Sequence, residues 1–446
     1  MDVEQLKRTA GVKFPSFGPN KVQEITRLVF EIAGRDGSSF ADILERIPDG
    51  RLSFNRIKEH LLRIRYPEAY ARGVPVRESF AAVEIDPHGV CDVKSPLKVY
   101  PKKIHVERGL EHSALVSRLR ALFPESIYET IGRYKDFSSG SSCGGPVEFN
   151  RRLDQFFVVK EQYDGVKPCP CTPGVVSCGY HNVDFGFGCP FECSYCFLQN
   201  YTNSPGIVLP ANMEDFFMVF AEYGSKRMRL GSGETTDSLA FDPVTGFAPG
   251  IVEFFRAYPE SIFEFKTKSD NIDGLLSVKG ASNIIAAWSV NPQGVIDREE
   301  HYTAALSRRL EAAARCAAAG YRTAFHFDPI FYYPGWQEDY SVVVNEIFRV
   351  IPKDSIAWIS LGTLRMTIRQ KKMIENRFPR NTILSAELLT APDGKVRYHS
   401  FVREKAYRYL LSLLRGHSPR TALYLCMEDA DMWRNLGIRP PWPGSS

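Results

Sequence analysis

The sequence has 446 residues, 44% hydrophobic and 24% charged, a globular composition that excludes a disordered or collagen-like chain and suffices for one large domain with one or two small ones. Lysine plus arginine exceeds aspartate plus glutamate by only 56 − 52 = +4, too mild a balance to signal nucleic-acid binding by net charge. The opening MDVEQLKRTAG has no signal-peptide core and no later run suits a membrane span, so we expect a soluble cytoplasmic protein with no membrane partner.

Residues 1–90 read as a helical N-terminal module. Apolar residues recur at helical spacing in Val22, Ile25, Leu28, Val29 and Ile32, while Ser39 and Ser53 stand as caps of two shorter helices around the turn Pro48-Asp49-Gly50. The second of these carries Arg56, Lys58, Arg63 and Arg65, which gives the pair the outline of a helix-turn-helix unit. The same residues suit the solvated face of an amphipathic helix. Residues 91–160 read as a small α/β lead-in, with a strand at Lys103–Val106, a helix over Ser113–Leu122 and a Ser/Gly-rich connection, Ser138–Gly145.

From 161 to 436 strands and helices alternate. Strand-like runs occur at Met228–Leu230, Ile262–Phe265, Ile284–Val290, Thr323–Phe327, Ile356–Leu361 and Ala422–Cys426, and an Ala-, Arg- and Glu-rich helix is expected over Glu299–Gly320. Repeated βα units imply a parallel sheet, closed or partly closed, with chemistry at the C-terminal ends of its strands. Residues 437–446 read as a flexible tail. The aromatics Phe331, Tyr332, Tyr333 and Trp336 suit either base stacking or core packing.

Of ten cysteines, Cys169, Cys171, Cys178, Cys189, Cys193 and Cys196 crowd into one stretch. A reducing compartment does not use such a cluster as disulfide staples, which points to metal or redox chemistry. Cys189, Cys193 and Cys196 stand at C-x3-C-x2-C, a spacing that wraps three thiolates round an iron–sulfur centre and leaves a fourth iron position open. The competing reading is zinc completed by Cys169, Cys171, Cys178 or His181, but these residues do not form two paired knuckles.

These three cysteines, with Tyr195 ahead of the third, resemble the signature of the radical S-adenosylmethionine (SAM) superfamily. Lys167–Pro170, Gly179–His181, Cys196–Tyr201, Pro210–Phe216, Phe265–Lys268, Trp288–Asn291 and Gly335–Trp336 are similar to spore photoproduct lyase and its repair-enzyme relatives, over residues 95–436. The resemblance implies an α/β fold, a partial (βα)6 barrel with the helical N-terminus as an extension. It implies a [4Fe–4S] cluster on Cys189, Cys193 and Cys196, and SAM cleaved to a 5′-deoxyadenosyl radical that abstracts hydrogen from a nucleotide, nucleoside or nucleobase. A one-electron reductant such as flavodoxin or ferredoxin would feed the cluster.

By the same resemblance Gly231, Gly233 and Glu234 form the SAM-binding turn. Lys268, Ser289 and Asn291 hold the methionine portion, Tyr195 adjoins the cofactors, and Arg308 or Arg309 is available to the SAM carboxylate. Two positions depart from the family. Glu234 stands where the hydrogen-donating cysteine is expected, and Phe197 replaces an aromatic partner of that donor. Cys426, at the end of the last strand, is the candidate replacement donor, with Cys169, Cys171 and Cys178 behind it. Two further readings stay open: a biosynthetic enzyme that forms or rearranges a C–C bond in a nucleoside, and an iron–sulfur redox sensor that binds nucleic acid through the N-terminal helices.

Overall fold

The computed structural model describes residues 2–48, 52–76, 81–138, 145–163, 166–201, 203–222, 227–391 and 393–440. Asp49 and Gly50 of the expected turn, residues 139–144 of the Ser/Gly connection and 441–446 of the tail lie outside the described residues. Two compact units make up the chain, one of Met1–Cys91, Phe331–Pro334 and Leu364–Arg403, the other of Asp92–Ile330, Gly335–Thr363 and Glu404–Ser446.

In the first unit, helices Val3–Lys13, Pro19–Asp36, Phe40–Glu45 and Phe54–Arg65 bury Leu6, Ile25, Leu28, Ile32, Ile43, Ile57 and Leu61 in one core. Pro19 opens its helix, where a missing N–H costs nothing, and Gly37 closes it at φ +66°, a conformation open to glycine. Ser39 and Asp42 cap the third helix reciprocally.

The segment 364–403, expected as part of the barrel, belongs to this unit instead. Buried Glu31 accepts from Arg27 Nε at 3.0 Å, Arg65 Nε at 2.9 Å and Lys371 Nζ at 2.6 Å, and Arg27 reaches on to Glu375. A carboxylate out of water needs such partners, and here they come from both ends of the chain. The basic face expected on the fourth helix is largely spent internally. Arg65 is fully buried, Lys58 pairs with Glu24 at 2.6 Å and Arg63 with Glu59 at 3.3 Å, while Arg56 is exposed. Tyr332 also serves packing here, its hydroxyl donating to Glu68 at 2.6 Å.

The second unit holds two sheets. Strands Ile127–Ile131, Lys103–Glu107, Gln155–Val159 and Ile207–Pro210 form a parallel lead-in sheet. In the eight-stranded sheet, Tyr180–Asn182, Arg229–Gly231, Ile262–Thr267, Ile284–Ser289, Arg322–Ile330, Ile356–Thr363 and Ala422–Leu425 run parallel in chain order, and Lys167–Pro168 pairs antiparallel at the edge. This is a partial barrel. Its interior is tied across strands by Glu264, which accepts from Arg229 Nη2 at 3.0 Å and Trp358 Nε1 at 3.2 Å and lies 2.7 Å from His326 Nε2. Arg229 also donates to the Tyr424 hydroxyl at 2.8 Å.

One expected helix differs. Glu299–Gly320 divides into the end of helix Gln293–Glu299, a short strand Glu300–His301 and helix Leu306–Ala318. The interruption has a partner, since Glu300 and His301 pair antiparallel with Cys193 and Glu192. Trp336 is buried against Tyr340 and Tyr409, so it serves the core. Among the described residues no helix is long and apolar enough to cross a membrane.

Candidate active site

The loop carrying Cys189, Cys193 and Cys196 is held from both sides. On one side Arg152, just ahead of strand Gln155–Val159, is fully buried and donates to the carbonyls of Cys189 at 2.8 Å, Phe191 at 2.7 Å and Phe149 at 3.0 Å. Its remaining charge is met by Glu192. On the other side Ser194 N donates to the Glu299 carbonyl at 2.8 Å, and the Ser194 hydroxyl donates to the Glu299 carboxylate at 2.5 Å. The Gln199 amide closes the loop with bonds to the carbonyls of Ser194 at 2.7 Å and Cys196 at 3.0 Å. The backbone of the cysteine loop is fixed in this way by groups from outside it.

Beneath the loop lies a buried polar network. Glu300 accepts from Arg309 at 2.6 Å, from Asn291 Nδ2 at 2.8 Å and from the Tyr195 hydroxyl. Burial opposes the Glu300 charge, but Arg309 and Lys268 hold its carboxyl below the ordinary value. Arg309 spends its other donors on Thr303 and on the carbonyls of Ala304 and Ser289, so it has no fork left for a ligand carboxylate. Arg308 is exposed and pairs with Asp270 and Glu311. Asn291 is likewise engaged at both ends of its amide, receiving the Tyr340 hydroxyl at 2.8 Å on Oδ1.

Lys268 and Ser289 differ from these. Lys268 Nζ sits 5.7 Å from the centre of the Tyr195 ring, and among the described residues no carboxylate lies within ion-pair distance of it. Burial disfavours its charge, yet Cys193 and Glu300 outweigh that and keep the ammonium above its ordinary value. The Ser289 hydroxyl also bonds no described residue. Both follow or end strands of the barrel at their C-terminal ends, as does the turn Gly231–Asp237.

That turn is anchored by Asp237, which accepts from the backbone N–H groups of Leu239, Ala240 and Lys268 and from the Thr267 hydroxyl. Glu234 stands free of it. Its half-buried carboxylate bonds no described residue, and burial, with Asp184 nearby, raises its pKa. The glycines of the turn sit where the barrel packs closely. A Cβ at Gly231 would meet the Tyr180 hydroxyl at 1.9 Å and the Glu264 carbonyl at 2.6 Å, and one at Gly233 would meet Lys266 Cβ at 2.6 Å. Close packing within the barrel excludes side chains at both.

Three cysteines on one loop, an ammonium with no carboxylate in ion-pair distance and a carboxylate with no ion pair are the residue types that a thiolate-bound iron–sulfur cluster and an amino-acid zwitterion require, while among the described residues no group of three such side chains is arranged to hold a metal ion. Cys426 follows Leu425 and is half-buried. Arg152, Glu192, Glu299 and Glu300 were not singled out from sequence, and no local pattern marks them.

The family model for spore photoproduct lyase matches residues 176–409. Among curated proteins, a spore photoproduct lyase from a Geobacillus strain is 30% identical over 247 residues, covering 53% of this chain and 72% of the relative. The Bacillus subtilis enzyme of the same name is 28% identical over 248 residues, 54% and 70% respectively. Among solved structures, a cysteine-to-alanine mutant of spore photoproduct lyase aligns with a TM-score of 0.63 at 21% identity, over 74% of this chain and 99% of that one. A double mutant of that enzyme with bound AdoMet and dinucleoside spore photoproduct aligns with a TM-score of 0.62 at 21% identity, over 75% and 100%.

Proposed function

The chain belongs to the spore photoproduct lyase family of radical SAM enzymes, and from that premise we propose that it abstracts hydrogen from a nucleoside- or nucleotide-type substrate. As a radical SAM enzyme it uses a [4Fe–4S] cluster and SAM, which together supply a carbon radical able to attack an unreactive C–H bond. Cys189, Cys193 and Cys196 would ligate the cluster. Lys268 would take the SAM carboxylate, Glu234 the ammonium, and Ser289 a further hydrogen bond. Asn291 and Tyr195 act one step back, holding Glu300 and through it the floor of the site. A one-electron reductant of the flavodoxin or ferredoxin class would serve it.

The observation that carries this reading is the Lys268 ammonium beside Tyr195 of the cysteine loop, with no carboxylate of a described residue within ion-pair distance. The substrate class comes from the relatives, whose solved structures include a bound dinucleoside spore photoproduct. One feature favours a second reaction on such a substrate: the Gly231–Asp237 turn holds Glu234 and no thiol. Formation or rearrangement of a C–C bond in a free nucleoside needs no hydrogen donor at that turn.

The test is turnover. Anaerobically reconstituted, reduced enzyme given SAM and nucleosides deuterated on the sugar or base is expected to release methionine and 5′-deoxyadenosine carrying substrate deuterium. Absence of SAM cleavage with an intact reduced cluster would sink the assignment, and cleavage with no deuterium from any nucleoside or dinucleoside would sink the substrate class.

A further inference from the structure

Residues 300–304 lie between helix Gln293–Glu299 and helix Leu306–Ala318 and interrupt what composition reads as one helix. The first of them is tied to the cysteine loop twice, by the ladder pairing of Glu300 with Cys193 and by the Tyr195 hydroxyl donating to the Glu300 carboxylate. The last is tied to the barrel, since Ala304 N donates to the Lys268 carbonyl at 3.0 Å. Between them Tyr302 stands at φ +68°, a left-handed conformation that a residue other than glycine holds only where its surroundings impose it. Its hydroxyl accepts from Lys94 N at 2.5 Å.

One side chain fixes this connection. Arg309 is fully buried and donates to the Glu300 carboxylate at 2.6 Å, the Thr303 hydroxyl at 2.6 Å and the Ala304 carbonyl at 2.8 Å. Its bond to the Ser289 carbonyl at 2.9 Å fastens the same connection to the end of strand Ile284–Ser289. The Thr303 hydroxyl in turn donates to the Glu300 carbonyl at 2.7 Å. A planar guanidinium holds these acceptors at set angles, which a flexible lysine ammonium does not.

We propose that Arg309 and Glu300 are positioning residues that set the cysteine loop against Lys268 and Ser289, so that SAM affinity depends on the pair separately from the stability of the chain. The proposal rests on the reading above, in which Lys268 and Ser289 hold SAM. Neither member of the pair touches that ligand. Glu300 acts through Tyr195 and the Cys193 backbone, and Arg309 through the backbones of Ser289 and Ala304. A buried ion pair adds little stability over packed apolar side chains of the same volume, so the distinctive contribution of this one is the geometry of its fork.

The test separates position from stability. Arg309→Gln alone leaves the Glu300 carboxylate buried without its ion-pair partner and is expected to lower the urea midpoint of unfolding. Adding Glu300→Gln removes the stranded charge and should bring the midpoint back towards the wild-type value. In the reconstituted double variant iron should stay at the wild-type content, while SAM binds about ten- to a hundredfold more weakly by equilibrium dialysis, the range for residues that orient a ligand's own contacts. Thr303→Val takes one acceptor from Arg309 and leaves both charges paired, so it should keep the wild-type midpoint and weaken SAM binding by a smaller factor. SAM affinity that recovers with the midpoint in the double variant, iron that falls in step with SAM, or unchanged SAM affinity in Thr303→Val overturns the proposal. Wild-type holoenzyme that binds no SAM overturns the reading beneath it, and this proposal with it.

Discussion

Two groups of three cysteines occupy one unit, and different charged neighbours stand beside them. Cys189, Cys193 and Cys196 are clasped by buried cations, Arg152 on the loop carbonyls and Lys268 above the Tyr195 ring. Burial pushes all three thiols up, and these cations pull against it, Lys268 at Cys193 and both at Cys196. Cys169, Cys171 and Cys426 face one another and the Glu234 carboxylate, which favours the neutral thiol. The same residue type thus meets cations in one place and a carboxylate in the other.

The largest effect is expected from removing the clamp on the first group. Arg152→Met breaks the buried pair with Glu192, a loss of about 3–5 kcal/mol, measurable by denaturant unfolding. Iron content should fall with it, whereas Cys171→Ala should leave both stability and iron near the wild-type value.

A smaller effect separates cluster binding from SAM binding. Lys268→Met removes one charged hydrogen-bond donor worth about 1.5–3 kcal/mol, so SAM should bind about ten- to a hundredfold more weakly by equilibrium dialysis while iron stays bound. Equal loss of iron and SAM would place Lys268 in the cluster's support alone.

The smallest concerns the barrel interior next to the second group, where Cys178 faces Arg229 and Glu264. Burial opposes ionisation of Glu264, but Arg229 and His326 pull its carboxyl from the ordinary 4.5 down to about 2. The folded chain therefore holds fewer protons than the unfolded one between those values, so this contribution is full above pH 4.5 and drains as the pH falls toward 2. Glu264→Gln should flatten that limb of a stability-against-pH curve, and an unchanged limb would remove Glu264 from the account.

The cysteine loop was legible because its three cysteines fall within eight consecutive residues, and the barrel because its strands are apolar runs set between helices. The supports of the site were not. Arg152 meets Glu192 40 residues away, and Ser194 meets Glu299 across 105, distances at which no periodicity connects the partners. The Glu299–Gly320 stretch reads as one helix by composition, yet Glu300 and His301 leave it to pair with the cysteine loop. Tertiary pairing there overrides local propensity. Likewise Arg65 has the helical position of a surface charge, and its bonds to Glu31 and to the distant Ala386 carbonyl accompany its burial. Gly231 and Gly233 stand out in the sequence as a turn, whereas Tyr180 and Lys266, which fill the space beside them, are set there by the sheet.

Which of the two sulfur groups holds the iron is tested most directly by counting iron in two reconstituted triple variants, one with Cys189, Cys193 and Cys196 changed to alanine and one with Cys169, Cys171 and Cys426 changed. The first is expected to hold no cluster and the second a full [4Fe–4S] complement. Iron retained in the first, or lost from the second, would contradict the account.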